Sequence, residues 1–214
     1  MVQTIPATRV TLYDLEQRFH LQENESDSFF DEWKGDLPAL TEEEKGRLER
    51  VRRSVSNLEK RSLLENTVKL AVLAPLLDLS NLFFPPFYVS TEEAVNIEAM
   101  NEDITIQGRI DILVLKETLW LLVIESKRAE FSPKVGIPQA LSYMLAAPDK
   151  TMPVYGLVTN GTDFVFLKMA FETAFESEPR YGRSRQFVLG QDNDLEQVLR
   201  ILKYLAVKIS NTSS

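Results

Sequence analysis

The stretch GRIDILVLKETLWLLVIESKR, residues 108–128, limits what this chain can fold into. Its two runs of large apolar residues, separated by a short polar interruption, read as neighbouring strands near 104–116 and 119–128. Strands this apolar belong in a sheet with helices on its faces. Yet Asp111 interrupts the first run, and Glu125 and Lys127 interrupt the second. Burying ionised groups costs several kcal/mol each unless partners or a metal compensate.

Side chains alternate along a strand, so Glu125 and Lys127 share a face with Val123 while Ser126 points away. On the preceding strand Asp111 shares its face with Arg109 and Leu113. The two carboxylates meet on one face only if Asp111 stands opposite Glu125. That register leaves Lys116 facing Trp120 across the three-residue turn Glu117-Thr118-Leu119. A two-residue turn at Glu117-Thr118 would put the carboxylates on opposite faces. A shared site therefore demands an odd loop or a bulge. Two converging carboxylates make an oxygen-rich place for a hard cation such as Mg²⁺, which takes one or two protein carboxylates and keeps several waters. A lysine beside it suits contact with a phosphate oxygen or a reacting water, the setting of phosphodiester hydrolysis. The plain alternative is an ion pair between Asp111 and Lys127 at a strand end.

Composition narrows the chemistry. Cysteine is absent and His20 is the single histidine, so disulfides, thiolate sites, histidine-rich zinc sites and a Ser-His-Asp triad have almost nothing to work with. The lack of cysteine fits a reducing cytoplasm, the expected location. No segment reaches the roughly 18 apolar residues of a membrane span, and the first residues lack signal-peptide character. The formal charge of −8 argues against indiscriminate coating of nucleic acid, though not against a local basic surface.

The expected order is helix, three strands, helix, strand pair, then extras. Residues 1–40 read as a lead-in with a short helix in TRVTLYDLEQRF. Thr41 and Glu44 form a capping-box signature, followed by a helix whose apolar stripe is Leu48, Val51, Val55 and Leu58; its RLERVRR segment reads as a solvated face. SLLENTVKLAVLAPLLDL is a more buried helix in which Pro75 predicts a kink. Strands near 86–99, 104–116 and 119–128 form a meander. A helix from about Pro138 and the strand in PVYGLVTNG complete a parallel βαβ unit, and Asn160-Gly161 signals a hairpin. A strand around RSRQFVL and a C-terminal helix follow.

Taken together, these elements resemble the PD-(D/E)xK nuclease superfamily, in particular the N-terminal nuclease domain of type I restriction motor subunits. The resemblance covers roughly residues 60–170. Its motifs fall on Glu65 in LLENTVKLAVLAPLL, Asp111 in GRID, Glu125-Ser126-Lys127 in IESK, and Gln139 with Tyr143 in PQALSY; Ile110 stands where the motif's name has proline. It implies a restriction-endonuclease-like mixed sheet with an αβββαβ core, flanking helices, an extra hairpin and a C-terminal helix, in one domain over 41–214. It further implies a Mg²⁺-dependent deoxyribonuclease, with Mn²⁺ as a substitute, of restriction or defence type. Asp111 and Glu125 would hold the metal with the Ser126 carbonyl, and Lys127 would position water or stabilise charge at phosphorus. Glu65 would hold a metal-bound water or tether its helix, the alternative being an i to i+4 pair with Lys69. Gln139 and Tyr143 would support substrate engagement, the alternatives being a helix-terminus hydrogen bond and core packing. DNA is the implied partner, and a homodimer or companion subunits fit such an enzyme. A catalytically silent binding module on the same fold is the competing expectation.

One further segment bears on nucleic acid. RYGRSR sets Arg180, Arg183 and Arg185 around an aromatic residue and a glycine, suited to phosphate contact and stacking; an ordinary charged hairpin is the alternative.

Overall fold

The computed structural model describes residues 3–61, 63–98, 104–171 and 178–211. The chain is a mixed α/β protein built on a nine-stranded sheet with helices on both faces. The meander is present: β3 (Phe87–Glu98), β4 (Ile104–Lys116) and β5 (Leu119–Ser126) pair antiparallel. Position 99, expected in the first of these strands, lies outside the described residues. β5 then pairs parallel with β6 (Val154–Thr159). The crossover between them carries the helix α5 (Ile137–Leu145), with Pro138 in its first turn, where its missing N–H costs nothing. β6 turns into β7 (Asp163–Phe171) through Gly161, whose φ of 91° suits a residue without a side chain.

Two short segments of the N-terminal forty residues join this sheet. β1 (Gln3–Pro6) pairs with β4, and β2 (Gln22–Glu23) pairs with β8 (Pro179–Arg183). α1 (Leu12–Phe19) lies between β1 and β2, and its Leu15 is fully buried. β9 (Phe187–Val188) pairs with β7.

The helices divide into two layers. On one face α2 (Glu42–Leu58), the broken helix of residues 65–79 and α6 (Asp194–Ser210) cover Ile112, Val114, Leu122 and Ile124. On the other, α1 and α5 cover Ile110, Leu113, Val123 and Val158. α2 starts at the Thr41–Glu44 capping box and buries Leu48, Val51 and Val55. The next helix is interrupted as Pro75 requires. α3 (Glu65–Val68) runs into a π-helical segment, Lys69–Leu73, and α4 (Ala74–Leu79) resumes with proline in its first turn. Proline lacks the N–H for the ladder and its ring crowds the preceding turn, so a locally widened turn is the economical solution. Ser62, expected to open this helix, lies outside the described residues. Among the described residues no helix is long and apolar enough to cross a membrane.

Candidate active site

The register question has a definite answer. Ile112 pairs with Ile124, Leu113 with Val123 and Val114 with Leu122, but Leu115 pairs with Trp120 and Lys116 with Leu119. The turn is therefore the two-residue Glu117-Thr118, with Glu117 at φ 55°, and not the expected three-residue one. A bulge at Leu121 shifts the register by one residue between Val114 and Leu115. That bulge restores the offset of the expected register, and the paired residues end at Ile112–Ile124, one position before Asp111 and Glu125.

Asp111 departs from simple alternation. Ile110 packs into one core layer and Ile112 into the other, so β4 changes its facing at the aspartate. The β3–β4 pairing likewise skips from Thr91–Ile112 to Glu93–Ile110, and Glu92 takes a left-handed φ of 56°. That conformation is uncommon for a residue with a side chain. The Asp111 carboxylate turns toward the end of β5, where Oδ2 accepts hydrogen bonds from the Ser126 N–H at 2.7 Å and its hydroxyl at 2.8 Å. Oδ1 lies 2.6 Å from Lys69 Nζ, which also donates to Glu92 Oε1 at 2.9 Å. Burial pulls the Lys69 ammonium's pKa down, but hydrogen bonds to Asp111 and Glu92 outweigh it and hold the pKa above its ordinary value. Neither simple alternative holds: Asp111 pairs with Lys69, not Lys127, and Lys69 pairs with Asp111 and Glu92, not Glu65.

Glu125, Lys127, Gln139 and Tyr143 form one hydrogen-bonded chain on the α5 side. Lys127 Nζ donates to Glu125 Oε1 and to Gln139 Oε1, both at 2.7 Å, and Gln139 Nε2 donates to Tyr143 Oη at 2.9 Å. Gln139 and Tyr143 lie four residues apart on α5, on one helical face, and that face meets the end of β5. Two glycines make the approach close. A side chain at Gly108 would begin 2.6 Å from Tyr143 Oη, and one at Gly136 would begin 2.8 Å from Val158 and 3.2 Å from Lys127 Cε.

The electrostatic centre is Glu125, only 2% exposed. Burial, then the charge of Asp111, push its carboxyl up to about 8 against the pull of Lys127, and Glu65 adds a further upward push. Among the described residues its Oε2 is buried without a hydrogen-bond partner. Glu65 itself is exposed at the start of α3 and makes no ion pair among the described residues. The charges of Asp111, from the middle of β4, and of Glu65, from the start of α3, thus both act on Glu125 near the end of β5. Among the described residues no group of three or more His, Cys, Asp or Glu side chains is arranged to hold a metal ion. A cation here would rest on Glu125, whose Oε2 has an open acceptor, with Asp111; that donor set fits Mg²⁺, which needs only one or two protein carboxylates.

The arginines of RYGRSR sit elsewhere, on and beyond β8, and two of them have acidic partners. Arg183 Nε lies 2.8 Å from Glu23, and Arg185 makes two contacts with Asp194 while its guanidinium stacks 4.1 Å over Phe187. Arg180 is half-buried on β8. The structure does not bring these arginines into the hydrogen-bonded group around Glu125. Sequence reasoning missed Glu92 and the role of Lys69; the only signal for the latter was a cation on the same helix as Glu65.

No protein-family model matches the chain, and no curated protein matches it in sequence.

Proposed function

We propose that this protein is a metal-dependent nuclease of the PD-(D/E)xK type, with DNA as its substrate and Mg²⁺ or Mn²⁺ as its cofactor. The observation that carries the reading is a single one. Glu125 is almost wholly buried with one oxygen unpartnered among the described residues, its carboxyl is raised by the charge of Asp111, and its other oxygen holds a lysine that Gln139 also anchors. A structural ion pair needs neither the orphan oxygen nor a second anchor on the lysine. The order helix, three strands, helix, strand supports a restriction-endonuclease-like core.

Asp111 and Glu125 would hold the cation. When bound, it would supply Lewis acidity at phosphorus and lower the pKa of water. Lys127 is placed by two hydrogen bonds, so its ammonium can contact a non-bridging phosphate oxygen or the attacking water without first being ordered. Gln139 and Tyr143 act through Lys127. In the reaction the oxygen of water bonds to phosphorus, the bond from phosphorus to the leaving deoxyribose oxygen breaks, and that oxygen takes up a proton as the attacking water gives one up.

One observation favours a second reading, a binding module on the same fold without turnover: Lys69 already neutralises Asp111. The two readings separate in one experiment. Supercoiled, linear and single-stranded DNA are incubated with wild type and Lys127→Ala in Mg²⁺ or Mn²⁺, with thermal unfolding followed in parallel. Cleavage by wild type alone, with both proteins folded and stabilised by the ion, supports the nuclease. Intact DNA throughout and no ion-dependent stabilisation would falsify it.

A further inference from the structure

Charges on α2 alternate in sign along the sequence but separate in space. Glu49 and Arg52 pair with each other on one side of the helix, as Glu42 and Lys45 do nearer its start. Arg47, Arg50, Ser54 and Asn57 recur at helical spacing on another side. Arg50, Val51 and Ser54 line a groove whose opposite wall is Leu70, Ala71 and Pro75 of the interrupted helix. The groove continues along Arg53 and Asn57. Arg47 is paired with Asp78 at its far end, but Arg50 and Arg53 are exposed and make no ion pair among the described residues. Leu70 is 76% exposed although it is a large apolar residue. Lys69, which reaches Asp111, directly precedes Leu70 in the chain, although it does not itself line the groove.

We infer that this groove receives the phosphate backbone of a nucleic-acid strand, with Arg50 and Arg53 as its cationic contacts and Ser54 and Asn57 as neutral donors. Two arginines three residues apart lie about 4.5 Å apart along a helix axis, and their long side chains can fan to neighbouring phosphates. Leu70 gives the sugar edge an apolar surface. The inference rests on the nuclease reading for the identity of the polyanion; the groove itself is argued from geometry and charge.

Binding of a labelled duplex DNA is measured in chelator, so that turnover plays no part, over a range of salt concentrations. The variants are Arg50→Glu/Arg53→Glu and a charge-matched control on other surfaces, Lys34→Glu/Lys45→Glu, with folding checked by circular dichroism. Loss of two phosphate contacts weakens binding roughly tenfold or more and lowers the slope of log K against log salt by about two; the control pair stays within about twofold of wild type. The inference is overturned if wild type does not bind, if both pairs lose affinity equally, if the groove variant keeps its salt slope, or if polyglutamate competes as well as DNA. Cleavage in Mn²⁺ is read on the same proteins. A groove variant that loses binding while wild type never cleaves leaves the groove standing and removes the nuclease reading. Wild-type cleavage with unchanged binding in the groove variant does the reverse.

Discussion

The Lys69 ammonium lies 2.6 Å from Asp111 Oδ1 and bridges it to Glu92, so Asp111 is already paired with a cation supplied by the protein. Lys69→Met should leave Asp111, half-buried, without its counter-charge. We expect metal-free protein to lose about 1–3 kcal/mol of stability. Mn²⁺ should then raise the melting temperature more in the variant than in wild type, because the ion no longer competes with an internal ammonium. Thermal unfolding with chelator and with Mn²⁺ checks both parts.

Gln139 accepts a hydrogen bond from the Lys127 ammonium that also donates to Glu125, and among the described residues it hydrogen-bonds to neither carboxylate. Under the proposed nuclease function, Gln139→Ala should therefore lower the cleavage rate by roughly 10–100-fold, the usual cost of removing a supporting partner. The ion-induced rise in melting temperature should be unchanged, since both candidate ligands remain. A variant that loses the stabilisation as well would place Gln139 in metal binding instead.

Gly108 is required by the approach of Tyr143, whose hydroxyl would lie 2.6 Å from a β-carbon there. Gly108→Ala should cost about 1–3 kcal/mol through overpacking and should displace the tyrosine. Tyr143→Phe removes only the hydroxyl and should stay folded, with a smaller loss of stability. Urea denaturation of the two variants side by side distinguishes crowding from a lost hydrogen bond.

Glu32 offers a test of pH dependence away from the site. Burial pushes its carboxyl up, but hydrogen bonds from Lys168 and Lys208, with those from the backbone and Tyr155, bring it below its ordinary value of 4.5. A lowered folded pKa means the stabilisation is present above about 4.5 and is lost as pH falls through the folded value. Glu32→Gln should cost about 3 kcal/mol at pH 7 by leaving Lys168 without its buried anion. Its difference from wild type should shrink toward pH 3, as chemical denaturation at the two pH values would show.

Much of the site was legible in the sequence because it depends on local periodicity. The two-residue repeat of a strand puts Glu125 and Lys127 on the α5 side and Ser126 on the other, and the structure joins the first pair to Gln139 while Ser126 reaches Asp111. The four-residue spacing of Gln139 and Tyr143 put them on one helical face, and Pro75 marked the helix interruption. These properties follow from backbone geometry and residue type within a few positions.

What only the tertiary structure decided was partner choice over long separations. The need for an odd loop or a bulge could be stated from alternation, but the selection of a two-residue turn with a bulge at Leu121 came from packing β4 and β5 between two helical layers. Lys69 found Asp111 because the π-helical turn and the change of facing at Asp111 bring the helix to the strand. Arg183 and Arg185 found Glu23 and Asp194, the first across most of the chain. An ionised side chain accepts any suitable partner within reach, so sequence determines its appetite for a counter-charge and topology determines which one it meets.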